Sequence, residues 1–439
     1  MYFLYRILTT LSVVVLVPYY VVRGWRRGET SRAVLERMGR LSRESIPRKA
    51  AQRAIWVHAV SVGEVLAAKP LVVGLRQRHP DRSIYVSTTT ETGQRLAQER
   101  LRCADGVFYF PLDSVTSVRR ALEAVDPGLV IVMETEIWPN FLREAKRRGI
   151  PVVFANARIS ARSFHRYQTW SFLVGDFYRR VLADADLFLT QTPEDGDRLR
   201  DMGAAEERIV AVGNLKYDAE PPGQSELGNW LKAQIQEQER WPVLVAGSVA
   251  GQEEEAVLAA YDLVQRRWRR ALLILAPRKP DRFDGAAAIV EEGGWNLVRR
   301  SHIDLREPLD EQADAILLDS IGELGGLYAL ADAAFVGGSL VSVGGHNILE
   351  PAWFGRPPVF GPSMENFQQM SEQFLAARAA VQVGSGAQLG KVWMQMIEDP
   401  ALREKMGNAA RLLAERNRGA TQRCIERLAP FLEDEAPLS

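Results

Sequence analysis

Short runs rich in β-branched and other apolar residues recur along most of the chain, each followed by a polar loop and an amphipathic segment. This alternation is typical of a parallel β-sheet whose strands are joined by helices. The pattern therefore predicts an α/β protein. The predicted strands are 54–57, 84–87, 129–133, 152–155 and 187–190 in the first half, and 243–246, 272–276, 315–318 and 333–336 in the second.

The two halves of this pattern begin alike. IWVHAVSVGEVLAAKPLV, from Ile55, and PVLVAGSVAGQEEEAVLAA, from Pro242, each predict a strand, a loop of small residues and a helix with an early acid. The free N–H groups and the positive dipole end of such a helix favour a phosphate or a carboxylate. A chain of 439 residues also exceeds the usual size of one domain. We therefore predict two Rossmann-like domains that face each other across a cleft.

An apolar run opens the chain, and a basic stretch follows it. Residues 1–22 are interrupted mainly by Arg6, and the uninterrupted part, 7–22, has 16 residues, fewer than the roughly 20 that span a bilayer as a straight helix. Residues 23–53 contain ten Arg or Lys against three Glu. No small-residue cleavage site follows the run, so we expect a retained anchor that leaves the remaining chain on the cytoplasmic side, near anionic headgroups. A buried core helix is the alternative interpretation.

The predicted domain boundaries follow these changes of composition. The segment between Gly213 and Trp241 is polar and contains Pro221, Pro222 and Gly223, so it predicts a linker. The divisions are a membrane anchor at 1–22, a basic juxtamembrane segment at 23–53, a first domain at 54–213, a linker at 214–240, a second domain at 241–420 and a C-terminal helix and tail at 421–439.

Composition argues against several classes of protein. A formal net charge of zero and an apolar fraction of 46% argue against disorder and against binding to nucleic acid. Cys103 and Cys424 are far apart, as in a protein of a reducing compartment. The five histidines have no metal-ligand spacing, and Asp184-Ala-Asp186 precedes a strand, so we expect these two acids to be solvated at the wrong end of the sheet. We predict no metal and no cofactor.

Acidic residues follow two of the predicted strands in the first half. Glu64 ends the segment HAVSVGE, and Glu134 and Glu136 belong to METEIWPN. Carboxylates at the carboxyl ends of parallel strands lie where ligands bind, and two of them in one site are suited to acid/base chemistry. The alternative is structural: Glu64 complements the dipole of its helix, and the other two acids cap theirs.

Basic and glycine-rich segments supply candidate anion ligands. Arg158, Ser160 and Arg162 lie in NARISARS, where guanidinium and hydroxyl groups suit a carboxylate or phosphate, although a solvated loop has the same composition. In the second half, Gly247-Ser248 opens a phosphate-type loop, and Arg278 lies between two prolines that restrict its backbone, which favours an anion ligand.

The segment FVGGSLVSVGGHNILEP, from Phe335, predicts a strand, paired glycines and a helix start. Glycines allow a ligand to approach the backbone. Asn347 can be the N-cap of that helix with Glu350 at its third position. In the functional interpretation, Glu350 accepts hydrogen bonds from a ribose while the helix start meets a phosphate. The two interpretations are compatible.

Eight segments stand in order along the chain: HAVSVGEV, STTTETG, METEIWPN, NARIS, GNLKYD, APR, GGSLVSVGGHNILEP and GPSMENF. In this order, behind an apolar amino-terminal segment, they closely resemble the 3-deoxy-D-manno-octulosonic acid (Kdo) transferases. The resemblance covers nearly the whole chain. It departs from the family at Ser248-Val-Ala-Gly-Gln-Glu253, where Ser-Thr followed shortly by Gly-Glu-Glu is more common, and at Lys279, where His is common.

The resemblance implies an inverting glycosyltransferase of the GT-B fold that acts in lipopolysaccharide biosynthesis. Such an enzyme is bound by a signal-anchor to the inner membrane, faces the cytoplasm, and moves Kdo from CMP-Kdo to lipid IV(A), the lipid A precursor. The implied roles are general base for Glu64, a further essential acid for Glu134, and CMP binding for Arg278, Gly322, Asn347 and Glu350. The alternatives are a GT-B enzyme or epimerase that uses a uridine nucleotide, and a catalytically idle membrane scaffold.

Overall fold

The chain forms two compact units in the computed structural model, which describes residues 1–12, 31–47, 52–221, 223 and 225–433. Unit 1 comprises Met1–Ala219 and Asn417–Ser439, and unit 2 comprises Glu220–Arg416. The change from one unit to the other thus falls within the predicted linker at 214–240. That segment has structure of its own, because it contains a twelve-residue helix, Glu226–Glu237.

Unit 1 is built on a parallel sheet of seven strands in the order β3-β2-β1-β4-β5-β6-β7. All five strands predicted for this half form. The central strand β4, with the sequence PGLVIVM, is fully buried and apolar throughout because helices cover both faces of the sheet. The strands are β1 (Ala54–His58), β2 (Ile84–Thr88), β3 (Gly106–Tyr109), β4 (Pro127–Met133), β5 (Val152–Ala157), β6 (Leu187–Thr190) and β7 (Ile209–Ala211).

Helices connect these strands and pack on the two faces of the sheet in two apolar clusters. Several of them begin at a hydroxyl residue that caps a backbone N–H, as Thr90, Ser114, Ser160 and Thr192 do. The first eight helices are α1 (residues 2–12), α2 (Ser31–Arg37), α3 (Val62–Arg78), α4 (Glu91–Arg100), α5 (Val115–Val125), α6 (Pro139–Arg147), α7 (Ala161–Leu182) and α8 (Pro193–Asp201).

Unit 2 repeats the arrangement with a parallel sheet in the order β10-β11-β9-β8-β12-β13-β14. The four strands predicted for this half form, and the additional ones have only two or three residues. They are β8 (Val243–Val249), β9 (Leu272–Pro277), β10 (Leu297–Arg299), β11 (Ala315–Leu317), β12 (Ala333–Val336), β13 (Pro358–Phe360) and β14 (Val381–Gln382).

The helices of unit 2 cover both faces of its sheet, with α10 against α15 as the largest helix pair. They are α9 (Glu226–Glu237), α10 (Glu254–Gln265), α11 (Phe283–Glu292), α12 (Leu324–Leu327), α13 (Leu349–Trp353), α14 (Gln368–Ala376), α15 (Gly386–Glu398) and α16 (Pro400–Arg416).

The chain ends in unit 1 with α17 (Ala420–Leu428) and α18 (Pro430–Glu433). Cys424, Ile425 and Leu428 are buried in the same apolar cluster as helix α3. The carboxylate of Asp218 accepts hydrogen bonds from the backbone N–H groups of Gly419 and Thr421, which fixes the start of α17. Helix α16 belongs to unit 2, and only the residues after it return to unit 1.

Only part of the predicted anchor lies among the described residues. Residues 2–12 are helical, whereas residues 13–30 and, in the basic segment, residues 48–51 lie outside the described residues. Within the part of the chain that the structure describes, no helix has the length and apolar character needed to cross a bilayer. The tyrosines of α1 contact the remainder of unit 1: Tyr2 donates to Asp184 and Tyr5 donates to Asp113, both at 2.8 Å.

The prediction for Asp184 and Asp186 was correct for their position in the sheet and wrong for their environment. Both lie before β6, at the amino-terminal edge of the sheet, as expected. Asp184, however, is only 4% exposed and pairs with Arg143 at 3.1 Å, while Asp186 pairs with Lys146 at 2.7 Å. The two acids are therefore structural ion-pair partners instead of solvated side chains.

Candidate active site

The topology brings Glu64 and Glu134 to one point of unit 1. Strands β1 and β4 are neighbours at the centre of the sheet, with His58 opposite Val132. The chain leaves these strands in different directions, so their carboxyl ends flank the crevice where ligands bind in open α/β sheets. Glu64 lies in the first turn of α3 after β1, and Glu134 follows β4 directly.

Glu64 is held by the loop that precedes its own helix. The backbone N–H of Val60 donates to Oε2 at 2.9 Å, and the Ser61 hydroxyl donates to Oε1 at 3.1 Å. The side chain is 7% exposed. The carboxylate therefore stabilises the start of α3, and its role in catalysis stays a prediction.

Burial, together with the charges of Glu134 and Glu136, raises the pKa of Glu64 to about 8, against the lowering effect of the hydrogen bonds from Val60 and Ser61. The pKa of Glu136 is also raised, by burial and by Glu134. A carboxylate with such a pKa is a stronger proton acceptor than an exposed one.

Glu134 is fixed by a strained backbone and by a lysine that the sequence analysis did not single out. Its φ is +54°, a left-handed conformation that is costly for a residue other than glycine and that is often found at functional sites. Lys216 Nζ lies 3.3 Å from Glu134 Oε1. Lys216 belongs to GNLKYD, one of the eight segments that carry the resemblance to the Kdo transferases.

A cavity of about 650 Å³ in unit 1 is lined by two of these acids, Glu134 and Glu136, and not by Glu64. Arg158 and Ser160 line it, as predicted for an anion-binding loop, together with Glu134 and Glu136; Arg162 is exposed on α7 and is not part of the lining. Ser160 also caps α7 by accepting from the Ser163 N–H. The lining further includes Arg166, Tyr167 and Trp170 of α7, which the sequence analysis missed. The cavity thus combines cationic and aromatic groups.

The predicted phosphate loop of unit 2 differs from the expectation. Gly247 and Ser248 are still within β8, where the pairing with β9 is irregular, and Ser248 has a φ of +55°. A Cβ atom on Gly247 would overlap the hydroxyl of the buried Tyr328. Gly247 is therefore required for packing, whatever its role towards a ligand.

Arg278, His346, Asn347 and Glu350 form one electrostatic group in unit 2. Burial lowers the pKa of His346 to about 4, with the Arg278 charge acting in the same direction. Burial raises the pKa of Glu350 to about 7, and the charge of Arg278 opposes this rise. Asn347 Nδ2 lies 3.5 Å from Glu350 Oε1. The structure thus brings together the end of β9 and the segment after β12.

The predicted helix start near Asn347 was displaced. Helix α13 has five residues and begins at Leu349, with Ile348 as its N-cap. Asn347 Oδ1 accepts from the Leu349 N–H at 3.1 Å, so it still satisfies one of the free donors. A helix this short has a weak dipole, and the side chains carry more of the site's polarity than its backbone.

Gly322 lies in the exposed loop between β11 and α12. Its φ is +94°, which residues with a Cβ atom rarely adopt. The next residue, Glu323, forms an ion pair with Arg300 at 3.1 Å.

Within the described part of the chain, no group of three or more histidine, cysteine or carboxylate side chains is arranged so that it could hold a metal ion. The neighbouring acids Glu64, Glu134 and Glu136 belong to the crevice of unit 1.

Comparisons with known proteins agree on one family. The family model described as 3-Deoxy-D-manno-octulosonic-acid transferase (kdotransferase) matches residues 32–219. A 3-deoxy-D-manno-octulosonic acid transferase from Haemophilus influenzae is 37% identical over 388 residues, covering 87% of this chain and 88% of that protein. One from Bordetella pertussis is 34% identical, covering 96% of this chain and 98% of that protein.

The fold is shared with more distant solved structures. A putative UDP-N-acetylglucosamine 2-epimerase from Listeria monocytogenes matches with a TM-score of 0.56 at 12% identity, covering 88% of this chain and 98% of that one. At this identity the likeness concerns the fold of two Rossmann-like domains alone.

Proposed function

Because the chain belongs to the family of 3-deoxy-D-manno-octulosonic acid (Kdo) transferases, and is therefore a glycosyltransferase, we propose that it transfers Kdo from CMP-Kdo to a lipid A precursor, lipid IV(A), with inversion. The observation that carries the proposal is the placement of Glu64 beside Glu134 at the central crevice of unit 1, with a raised pKa.

In the proposed reaction, Glu64 acts as general base. An acceptor hydroxyl attacks the anomeric carbon of Kdo, a new carbon–oxygen bond forms, and the bond from that carbon to the phosphate oxygen breaks. The hydroxyl proton passes to the Glu64 carboxylate, and CMP departs with the bonding electron pair. General-base help of this kind contributes about a hundredfold to ten-thousandfold. Glu134, paired with Lys216, keeps a second negative charge beside the base.

The donor is assigned to unit 2. CMP gains negative charge as it departs, and Arg278 supplies the permanent positive charge, with Ser248 and Asn347 as polar partners. Glu350 suits the ribose hydroxyls as an acceptor, and Gly322 allows the nucleotide to approach the backbone. Gly247 instead makes room for the Tyr328 hydroxyl. The proposed reaction needs no metal, so we expect full activity in excess chelator; a loss that magnesium restores would contradict this part of the proposal.

The acceptor is assigned to the cavity of unit 1. Arg158 and Arg166 suit the phosphates of a lipid A precursor or the carboxylate of a Kdo residue, with Ser160 as a hydrogen-bond partner and Arg162 close by along α7. Tyr167 and Trp170 supply the apolar surface that a lipid requires.

We also place the protein on the cytoplasmic face of the inner membrane. Phe3 and Leu8 of α1 are 78% and 56% exposed, and Phe172 and Leu173 of α7 are 79% and 53% exposed. Aromatic contact between Tyr2 or Tyr5 and Phe177 makes these helices neighbours in unit 1. Exposed apolar groups on these helices, in a chain whose sequence is strongly basic at 23–53, favour an anionic bilayer.

Binding to vesicles tests the membrane assignment. Full-length protein should sediment with vesicles that contain anionic lipid, and Phe172→Ser should weaken this binding severalfold. Ile321 of unit 2 is similarly exposed, at 72%, so Ile321→Ser is the matched control and should bind as the wild type does. Equal binding by the two variants would show that α7 does not contact the membrane.

The decisive experiment for the activity is mass spectrometry of the product formed from CMP-Kdo and tetra-acylated lipid A precursor. A mass increase of one or more Kdo residues is expected for the wild type, and no comparable product for Glu64→Gln. Calorimetric titration with CMP and UDP distinguishes the uridine-dependent alternative. Absence of product despite CMP binding would support a catalytically idle scaffold.

A further inference from the structure

We propose that Glu253 is a positioning residue of the donor site, which holds the loop after β8 and the glycine-rich segment after β12 in the geometry that binds the nucleotide. This inference rests on the proposed function, because it takes the donor site to be in unit 2. Glu253 itself does not touch the donor in this proposal; it acts through the backbone that it fixes.

The carboxylate of Glu253 accepts four backbone hydrogen bonds. The N–H of Ala250 reaches Oε2 at 2.8 Å, and that of Gly338 reaches it at 2.6 Å. The N–H groups of Ser339 and Leu340 reach Oε1 at 2.9 and 2.7 Å. The residue is completely buried. One donor thus comes from its own loop, and three come from a segment about 85 residues further along the chain.

These contacts occupy an anion-binding concavity. Successive backbone N–H groups that converge on one point bind phosphate in many nucleotide sites. Here a carboxylate of the protein fills that position and uses both of its oxygens for it. The donor's phosphate therefore cannot bind at the N–H groups of Gly338, Ser339 and Leu340. This leaves the phosphate to groups such as Arg278.

The two segments touch so closely that Glu253 determines their spacing. A Cβ atom on Gly337 would lie 2.6 Å from Val249 Cα and 2.9 Å from Glu253 Oε2. One on Gly338 would lie 2.7 Å from His346 Nε2. Only glycine fits at these two places, and the bonds to Glu253 hold the glycine backbone against β8.

A continuous set of contacts links Glu253 to the donor ligands. Gly338 accepts from the Gly345 N–H at 2.8 Å, and Gly345 is two residues before Asn347. Asn347 in turn lies beside Glu350. A shift of the Gly338 backbone would therefore move the two residues proposed to bind the nucleotide.

The neighbouring Glu254 has a different role, although it is equally buried. It forms an ion pair with Arg282 at 3.1 Å, which ties the start of α10 to the turn before α11. Both acids are buried at the start of α10. Of the two, only Glu253 reaches the glycine-rich segment after β12.

The test is calorimetric titration of CMP into wild-type protein and Glu253→Gln. In either orientation the amide NH₂ of glutamine would face two backbone N–H groups, so buried donors lose their acceptor. We expect CMP to bind at least about tenfold more weakly, with a matching rise in KM for the donor and an unchanged KM for the acceptor. Glu253→Asp keeps the charge but is one methylene shorter, and its CMP affinity should lie between the two.

Asp332→Asn is the matched control. Asp332 accepts from the Val243 N–H at 2.9 Å and pairs with Arg403 at 3.4 Å, so it braces the same two strands, β8 and β12, at their opposite ends. It should lower the melting temperature and leave CMP affinity within about twofold of wild type.

The possible outcomes separate the two proposals. Wild-type CMP affinity in Glu253→Gln would overturn the positioning role, and so would equal losses in Glu253→Gln and Asp332→Asn. If Glu253→Gln cannot be purified folded, the same criteria apply to Glu253→Asp. A wild-type protein that does not bind CMP would instead contradict the proposed function.

Discussion

At the scale of single residues, the candidate site depends on acids placed where their charge is costly. Glu64, Glu136 and Glu350 all have a raised pKa, chiefly through burial, and two of them also through neighbouring acids. Glu134 and Ser248 adopt left-handed backbone conformations at strand ends. Such strain and desolvation reduce stability and are retained where they serve a function.

The pKa of Glu64 predicts a pH profile. A general base must be ionised, so kcat/KM should rise about tenfold per pH unit below pH 8 and level off above it. Glu136→Gln removes one of the charges that raise the pKa of Glu64, so the midpoint of its profile should move to lower pH. A profile that is flat between pH 6 and 9, measured at subsaturating acceptor, would exclude Glu64 as the base.

Glu64→Gln should separate activity from stability. Because the pKa of Glu64 is raised from 4.5 to about 8, the folded state holds its proton more tightly than the unfolded state. The free energy of unfolding of the wild type should therefore fall as pH rises from about 4.5 to about 8. The variant lacks this contribution, so its melting temperature relative to wild type should be higher at pH 9 than at pH 5, although its turnover is largely lost. A constant difference across this range would contradict the raised pKa.

The positions of candidate site residues were predictable from sequence only where the residues follow a strand in the chain. Glu64, Glu134 and Arg278 each lie just after a strand, so pattern alone placed them at the ligand edge. Lys216 and Glu253 could not be assigned in this way, because their partners lie about 80 residues away in the chain. Arg166 and Trp170 sit on an exposed helix face that has no distinctive pattern.

At the scale of elements, the long strands and helices were predictable, and the short ones were not. All nine predicted strands form, because each contains at least three consecutive apolar residues, nearly all of them buried in the sheet. Strands β10 and β14, with three and two residues, have too few residues to show a pattern. The start of α13 was misplaced by one residue, because Asn347 accepts from the Leu349 N–H although Ile348 is the N-cap.

Close helix packing in unit 2 gives a prediction at this scale. A Cβ atom on Gly407 of α16 would overlap the backbone carbonyl of Gly355, which cannot move aside as a side chain can. Gly407→Ala should therefore destabilise the protein, by about 1–3 kcal/mol, despite the better helix propensity of alanine.

Gly285 of α11 provides the control for this prediction. A Cβ atom there meets nothing closer than 3.8 Å, so Gly285→Ala should stabilise the protein by up to about 1 kcal/mol. Denaturant unfolding of both variants checks the pair. The same sign for the two changes would mean that backbone contact at Gly407 does not limit the packing.

At the scale of the whole molecule, the assignment of donor and acceptor to different units gives a further prediction. CMP should slow amide hydrogen exchange in the segments 248–253, 337–340 and 344–350 of unit 2, where the proposed ligands and their support lie. The strands β1 and β4 of unit 1 should exchange as in the free protein. Hydrogen-exchange mass spectrometry with and without CMP checks this, and protection around Glu64 alone would reverse the assignment.

The return of the chain to unit 1 has a consequence for its biosynthesis. Ala420, Cys424, Ile425, Leu428 and Leu432 complete an apolar cluster whose other buried members lie before residue 216. The ribosome makes all of unit 2 before it makes these residues, so unit 2 is an uninterrupted stretch that can close during translation. Unit 1 has an open hydrophobic face until its last helices leave the exit tunnel. The nascent first unit is therefore the part of this protein that most needs a chaperone.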